Sequence, residues 1–254
     1  MLVTPGDVSG NLARSEERIA TATKQGANIV LLPEALDCGW AHPSARENAA
    51  EIPHGEACRR LRAAAKQHGI FVCAGLIERE SRSTQLGARL FNAAVLIDPR
   101  GEVILHHRKI NELDFARELY SVVDHLGVAE TPWGRAGLMI CADAFAPGQV
   151  ISRSLAMMGA RFILSPCAWA VPADHDNARE PYGQLWLDNY GPVARELGVW
   201  IAGCSNVGPI TAGEWSGRKC IGNSLVCGPE KLIAAQGRHG DSADEIIVVR
   251  IEVA

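Results

Sequence analysis

The chain is expected to be an α/β protein whose mixed sheets are sandwiched between helices. Three observations predict this. Short apolar, β-branched runs of strand length alternate with amphipathic stretches of helical length. Most of the apolar runs lack polar alternation, the pattern of strands covered on both faces. The 254 residues, 47% hydrophobic and 21% charged, can bury a sizeable core. No Pro/Gly/Ser linker or charge block divides them, so one domain over 1–254 is expected.

Each element has a local reason. A helix over 11–25 opens at Asn11, a good N-cap type, and stops at Gly26. "NIVLLPE" (28–34) reads as a strand. A helix over 55–68, with "CRRLRAAAKQH" at its heart, closes at Gly69, and "IFVCAGLIE" (70–78) is the next strand. "NAAVLID" (92–98) and "VILHHRK" (103–109) are joined by "DPRGEV", whose Pro-Arg-Gly turn chemistry makes a hairpin. "TPWGRA" (131–136) is a second such turn, leading into the strand "AGLMIC" (136–141). A helix over 147–158 starts with Pro147 in its first turn and ends at Gly159. "RFILSP" (161–166), a helix over 183–197 closed by Gly198, "VWIAGCSN" (199–206), "NSLVCGP" (223–229) and "DEIIVVRIE" (244–252) complete the series. Only "MLVTPGDVSG" precedes the first helix, so a strand feeding it would be nearly missing. The fold is expected either to do without that edge or to have a start upstream of Met1.

The net charge of −4 provides no basic stripe for phosphates, and "HHRK" is too short to serve as one, so no nucleic-acid partner is expected. No run approaches the roughly 20 apolar residues of a membrane span, and residues 1–30 carry a charged helical pattern in place of a signal-peptide core. No membrane association and a cytoplasmic location are therefore expected. The 8 cysteines, at 38, 58, 73, 141, 167, 204, 220 and 227, form no C-x-x-C pair and no C/H spacing of the zinc type. Neither a disulfide framework nor a metal is indicated, and most of these thiols read as small buried hydrophobes.

Three strand ends finish on reactive side chains: "LLPE" on Glu34, "HHRK" on Lys109 and "MIC" on Cys141. Catalytic groups in α/β folds gather where strands run out at their carboxyl ends. A thiol attacking a carboxamide or nitrile needs a base, which a carboxylate with a raised pKa can be, and a cation or N–H to hold the oxyanion. Glu34, Lys109 and Cys141 match those roles.

"GANIVLLPE", "HHRKINELDFARELY", "TPWGRAGLMICAD", "GARFILSPCAW", "IAGCSNVG" and "CIGNSLVCGP", in this order and at these separations, resemble the nitrilase superfamily of carbon–nitrogen hydrolases. The resemblance implies a four-layer α-β-β-α sandwich of two mixed β-sheets and a Glu34–Lys109–Cys141 triad. It implies further a second glutamate between lysine and cysteine, for which Glu118 is the choice and Glu112 the competitor. The backbone N–H of Ala142 joins Lys109 at the oxyanion, Asp143 matches a structural acid, and Trp169 and Phe145 are the expected substrate contacts. Asn206 and Gly208 resemble residues that shape a turn near the site. A homodimer or larger homo-oligomer is implied, with a small-molecule amide and water as the reaction's partners and no cofactor.

The sequence departs from the family pattern after the nucleophile, where it reads Ala142, Asp143, Ala144, Phe145, Ala146, Pro147, Gly148. True nitrilases of this family usually place tryptophan and glutamate directly after the cysteine, so the expected substrate is a small carboxamide or N-carbamoyl compound. Positions 144 and 145 carry no hydrogen-bond donor, so a clamp for a substrate carboxylate would come from elsewhere, with Arg179 in the polar loop 174–181 as the candidate. Nitrile hydrolysis or acyl transfer on the same thioester is the alternative. A catalytically silent binding or assembly module is the alternative from another class.

Overall fold

Asp7 caps the first helix, α1 (Val8–Lys24): its Oδ1 accepts the Gly10 N–H at 3.0 Å. Asn11, read from the sequence as the cap, lies inside the helix and is fully buried. Its amide donates to the carbonyls of Thr4 (2.8 Å) and Asp37 (2.9 Å), tying the N-terminal segment to the loop that carries Glu34. The computed structural model describes residues 1–80 and 88–253.

The first sheet contains β1 (Ile29–Leu31), β2 (Phe71–Arg79), β3 (Leu90–Ile97) and β4 (Val103–Arg108), in that order. The remaining strands are β5 (Val128–Thr131), β6 (Gly134–Leu138), β7 (Ala160–Cys167), β8 (Ala170–Val171), β9 (Trp200–Ser205), β10 (Val207–Pro209), β11 (Lys219–Ile221), β12 (Leu225–Cys227) and β13 (Ala235–Gln236). The second sheet has the order β13-β12-β9-β7-β6-β5, and β10-β11-β8 form a small third one. The other helices are α2 (Ala45–Asn48), α3 (Glu56–His68), α4 (Val150–Met157) and α5 (Gly183–Leu197).

Side-chain alternation builds the layers. On β2, Val72, Ala74 and Leu76 face Leu12 and Ile19 of α1 and Leu61 and Ala65 of α3, whereas Phe71 and Cys73 face the other sheet. There they meet Ala136, Leu138, Phe162 and Leu164 of β6 and β7. The outer face of the second sheet, with Ile163, Ile201 and Leu225, is covered by Ile151 and Leu155 of α4 and Trp186 and Val193 of α5. This gives helix, sheet, sheet, helix, the four-layer sandwich expected, and explains why β2 and β3 are apolar throughout: both faces are buried.

Strand direction positions the site. β1 and β2 are parallel, and the antiparallel steps to β3 and β4 return β4 to the same sense, so β1, β2 and β4 end at one edge. In the second sheet β6, β7 and β9 are parallel, with α4 and α5 as crossovers. The two edges meet, because the Glu34 N–H donates to the carbonyl of Cys167 at the end of β7 (3.2 Å).

The structure corrects two expectations. Residues 147–158 are not one helix: Pro147–Gln149 is a 3₁₀ turn with Gly148 at φ 67° and Gln149 at φ 51°, and α4 starts only at Val150. Residues 244–252 are not a strand, since among the described residues their backbone finds no ladder partner. They are held by other bonds, such as Trp200 Nε1 to the Glu252 carbonyl (2.9 Å) and Arg18 to Asp244 (3.0 Å), beside a cleft of about 1070 Å³. Ile29, Leu31, Trp200 and Ile251 line this cleft; Glu34, Lys109 and Cys141 do not. Leu2 makes an isolated parallel bridge to Val207. Among the described residues no helix is long and apolar enough to cross a membrane.

Gly75 of β2 lets the Glu34 loop come close: a β-carbon there would lie 2.5 Å from the Cα of Glu34 and 2.9 Å from the carbonyl oxygen of Pro33. The clash is with backbone, which cannot swing away. Gly75→Ala is therefore expected to cost about 1–3 kcal/mol in urea denaturation, the usual cost of overpacking, and to displace Glu34. Unchanged stability would contradict the close approach.

Candidate active site

Glu34 sits just past β1, Lys109 directly after β4 and Cys141 just past β6, so the three reactive residues of the sequence do converge at the joined edges. Glu34, Lys109, Glu112 and Asn92 are only 1%, 2%, 3% and 1% exposed, whereas Cys141 is half-buried.

The buried groups form a closed ring of charge-assisted hydrogen bonds. Lys109 Nζ donates to Glu34 Oε1 (2.9 Å) and to Glu112 Oε1 (3.0 Å). Asn92 Nδ2, from β3, donates to Glu34 Oε1 (2.6 Å) and Glu112 Oε2 (3.2 Å). The Leu113 N–H adds a donor to Glu112 Oε1 (3.0 Å). Burial raises the Glu34 pKa and Glu112 pushes the same way, against the opposing pull of Lys109 and Asn92. Burial works against the Lys109 ammonium, but Glu112, Glu34 and Cys141 outweigh it and hold its pKa well above the ordinary range. The Cys141 thiol is pushed up by burial first, then by Cys167 and Glu34, with Lys109 opposing. A thiol at rest beside a carboxylate of raised pKa is the pairing that general-base activation needs.

The backbone at Cys141 is strained. Cys141 has φ 43°, a left-handed conformation unusual for a residue with a side chain, and opens the 3₁₀ turn Cys141–Phe145. Its N–H donates to Ser165 Oγ (3.2 Å). Asp143, fully buried, holds the turn from inside: it accepts the N–H groups of Ile140 (2.9 Å), Ile110 (3.1 Å) and Asn111 (2.7 Å), and His107 Nε2 at 2.8 Å. Asn111 Nδ2 donates to the Ala142 carbonyl (2.7 Å), fixing the peptide that follows Ala142. One carboxylate thus pins the chain after Lys109 to the turn that carries Cys141. Burial would raise the pKa of Asp143, but the His107 bond and the backbone donors prevail and hold it below the usual range.

The second glutamate is corrected by the geometry. Glu112, not Glu118, meets Lys109: Ile110 and Asn111 are caught by Asp143, and the chain turns back so that Glu112 lies under the ammonium. Glu118 ends a 3₁₀ turn (Asp114–Glu118) with its side chain exposed, and its carbonyl accepts from Arg46 (3.5 Å). Trp169 is corrected as well. It is 0% exposed and stacks on Trp186 (centroids 4.3 Å apart, planes at 19°), so it backs the site from the core and offers no surface to a substrate. Phe145 stays half-buried near Cys141, against Trp186 (5.5 Å). Arg179 is exposed.

Asn92 and His107 were missed from the sequence, although each is a polar residue in a strand whose burial demands a partner, a signal present in "LFNAAV" and "ILHHRK". Facing Lys109 is an aromatic trio, Trp40, Phe115 and Trp215, with pairwise centroid distances of 5.0–5.5 Å; the ammonium lies 5.6 Å from the Trp40 ring.

Comparison with known proteins identifies the family. The family model "Carbon-nitrogen hydrolase" matches residues 3–254. The chain belongs to the carbon–nitrogen hydrolase family, and it is an amidohydrolase of non-peptide carbon–nitrogen bonds. It is similar to a nitrilase of Pyrococcus abyssi (29% identical, covering 96% of this chain and 84% of that protein). It is similar also to the omega-amidase NIT2 of Mus musculus (30% identical, covering 76% and 73%). Among solved structures, the carbon–nitrogen hydrolase of Helicobacter pylori G27 superposes with a TM-score of 0.81 at 19% identity, covering 96% of this chain and 84% of that one. A mutant of the amidase from Nesterenkonia sp. AN1, with an acetamide moiety attached to its active-site cysteine, superposes with a TM-score of 0.76 at 23% identity, covering 94% and 84%. At these identities the superpositions speak for the fold.

Asp143→Asn is expected to destabilise the chain by about 3 kcal/mol at pH 7, as for a buried charge network losing one partner. Because the folded pKa of Asp143 is depressed, its contribution is present above the unfolded value and lost as pH falls through the folded one. The gap between wild type and variant in chemical denaturation should therefore close in acid; a gap independent of pH would show that the carboxylate is not held ionised.

Proposed function

We propose that the chain hydrolyses a small carboxamide or N-carbamoyl compound through a thioester on Cys141, with no cofactor. The observation that carries this reading is the convergence of a buried carboxylate and a buried ammonium on Cys141, the one residue of the three that is only half-buried. Glu34 takes the thiol proton while the sulfur attacks the carbonyl carbon, and Lys109 with the Ala142 N–H holds the oxyanion. The proton passes from Glu34 to the leaving nitrogen, ammonia or an amine departs, and the thioester remains. Water then attacks with Glu34 again as base, releasing the acid and restoring the thiol. Glu112 keeps the Lys109 ammonium charged and in place, and Phe145 contacts the substrate.

Ala142 and Asp143 after the nucleophile favour amide over nitrile, and the similarity to an omega-amidase points the same way. Nitrile hydrolysis is the second reading, favoured by the similarity to a nitrilase. The filled Glu34, Lys109 and Cys141 positions speak against a silent module. The same reading takes the chain to work in the cytoplasm as a homodimer or larger homo-oligomer, without nucleic acid or membrane.

Ammonia release from small amides, ureido acids and nitriles tests this. Cys141→Ala should abolish turnover, and turnover surviving there would sink the mechanism. Glu112→Gln should lower kcat by about 100-fold, whereas Glu118→Gln should stay within about twofold of wild type, as exposed substitutions do. Since the pKa of Glu34 is raised, kcat/KM should fall on the acid side at a pH above its ordinary 4.5.

A further inference from the structure

The ring around Lys109 divides the two oxygens of Glu34 unequally. Oε1 accepts from both Lys109 Nζ (2.9 Å) and Asn92 Nδ2 (2.6 Å). Oε2 accepts no hydrogen bond from any described residue. A carboxylate oxygen already holding two donors, one of them charged, is the poorer base and cannot swing towards a proton without breaking both bonds.

Asn92 is well placed to enforce this. Its Nδ2 donates to Glu34 and Glu112 together, and its Oδ1 is buried without a partner among the described residues. The amide orientation is therefore set by the two carboxylates: an amide turned the other way would aim its oxygen at two anions. Asn92 comes from the middle of the first sheet, on β3, which pairs with β2 on one side and β4 on the other. It is thus fixed by backbone ladders and not by a loop.

From this arrangement we infer that Asn92 is a positioning residue for the reaction, which pins Glu34 through Oε1 and so assigns the proton transfer to Oε2. The inference rests on the hydrolytic reading above and sharpens it to the atom. When the thiol is consumed, the S–H proton passes to Glu34 Oε2. The S–H electron pair goes to the sulfur–carbon bond, and Oε1 keeps its two donors throughout. The groups facing Glu34 from the elements around it are Lys109, Glu112, Cys141 and Cys220, and of these only Lys109 opposes the effect of burial on Glu34 as Asn92 does. Loss of the Asn92 donor removes stabilisation from the ionised carboxylate alone, so the Glu34 pKa moves further up.

The test compares wild type with Asn92→Leu, which keeps the size of the side chain and removes the donor, and with Asn92→Ser as a smaller second variant. Folding is checked by circular dichroism and thermal melting. Two pH profiles are taken: kcat/KM with a small amide, and the rate of Cys141 alkylation by iodoacetamide, in which sulfur displaces iodide without any amide being hydrolysed. The expected result in a folded variant is a kcat lowered by about 10- to 100-fold with KM changed by less than about threefold, as for loss of a hydrogen bond to a charged group. The acid limb of both profiles should move to higher pH. A merely structural asparagine would lower activity without moving either limb, and unmoved limbs in a folded variant would overturn the inference. If the wild type hydrolyses no carbon–nitrogen bond, the proposed function fails, while the alkylation profile still decides the role of Asn92.

Discussion

Lys109 is shared between two carboxylates in a place nearly closed to water, and much of the molecule follows from what that requires. One ammonium cannot satisfy two acids by charge alone, and the surplus negative charge is expensive at such burial. The ring is completed by Asn92, which gives each acid a further donor, and burial, with Glu112 alongside, lifts the proton affinity of Glu34. A carboxylate in this condition can accept a proton from a thiol and return it to a nitrogen. The cost of burying the charges and the capacity for catalysis thus have the same source.

Holding such a ring demands rigid supports from several directions, and the sandwich provides them. Glu34, Asn92 and Lys109 are carried by β1, β3 and β4 of one sheet, while Cys141 is carried by the other. Polar contacts bridge the two sheets at this edge: the Glu34 N–H on the Cys167 carbonyl, the Asn111 amide on the Ala142 carbonyl, and the Asp143 carboxylate, which gathers donors from both sheets. Elsewhere the sheets meet through apolar side chains such as Phe71, Leu96, Leu138 and Phe162, which fix the spacing but not the register. Register at the site is left to Asp143 and its partners, and the strained φ of Cys141 persists because these contacts over-determine it.

Most of the architecture was legible in the sequence because burial on both faces of a strand leaves an apolar run, and helix ends leave glycines. The same logic located Glu34, Lys109 and Cys141 at strand ends. It failed where the deciding contact is remote in sequence. Asn11 looked like a cap, but its amide serves Thr4 and Asp37. Residues 244–252 have the composition of a strand, but no ladder partner stands beside them. Glu118 has a plausible spacing from Lys109, yet the chain reversal that brings in Glu112 depends on Asp143, beyond the reach of any local pattern. Asn92 and His107 were readable in principle as lone polar groups in buried strands, but their partners were not.

Gly75 carries a consequence for how such a site can change over generations. It lies on a strand that contributes none of the ring's polar groups, yet the peptide of Glu34 rests where its side chain would be. Every amino-acid replacement reachable from a glycine codon adds a β-carbon, so drift at this position has no gentle first step. A compensating change would have to move the backbone of Pro33 and Glu34, and with it the buried carboxylate. The placement of Glu34 therefore constrains a residue with no chemistry of its own, and the mutational neighbourhood of the candidate site extends along β2 into the body of the sheet.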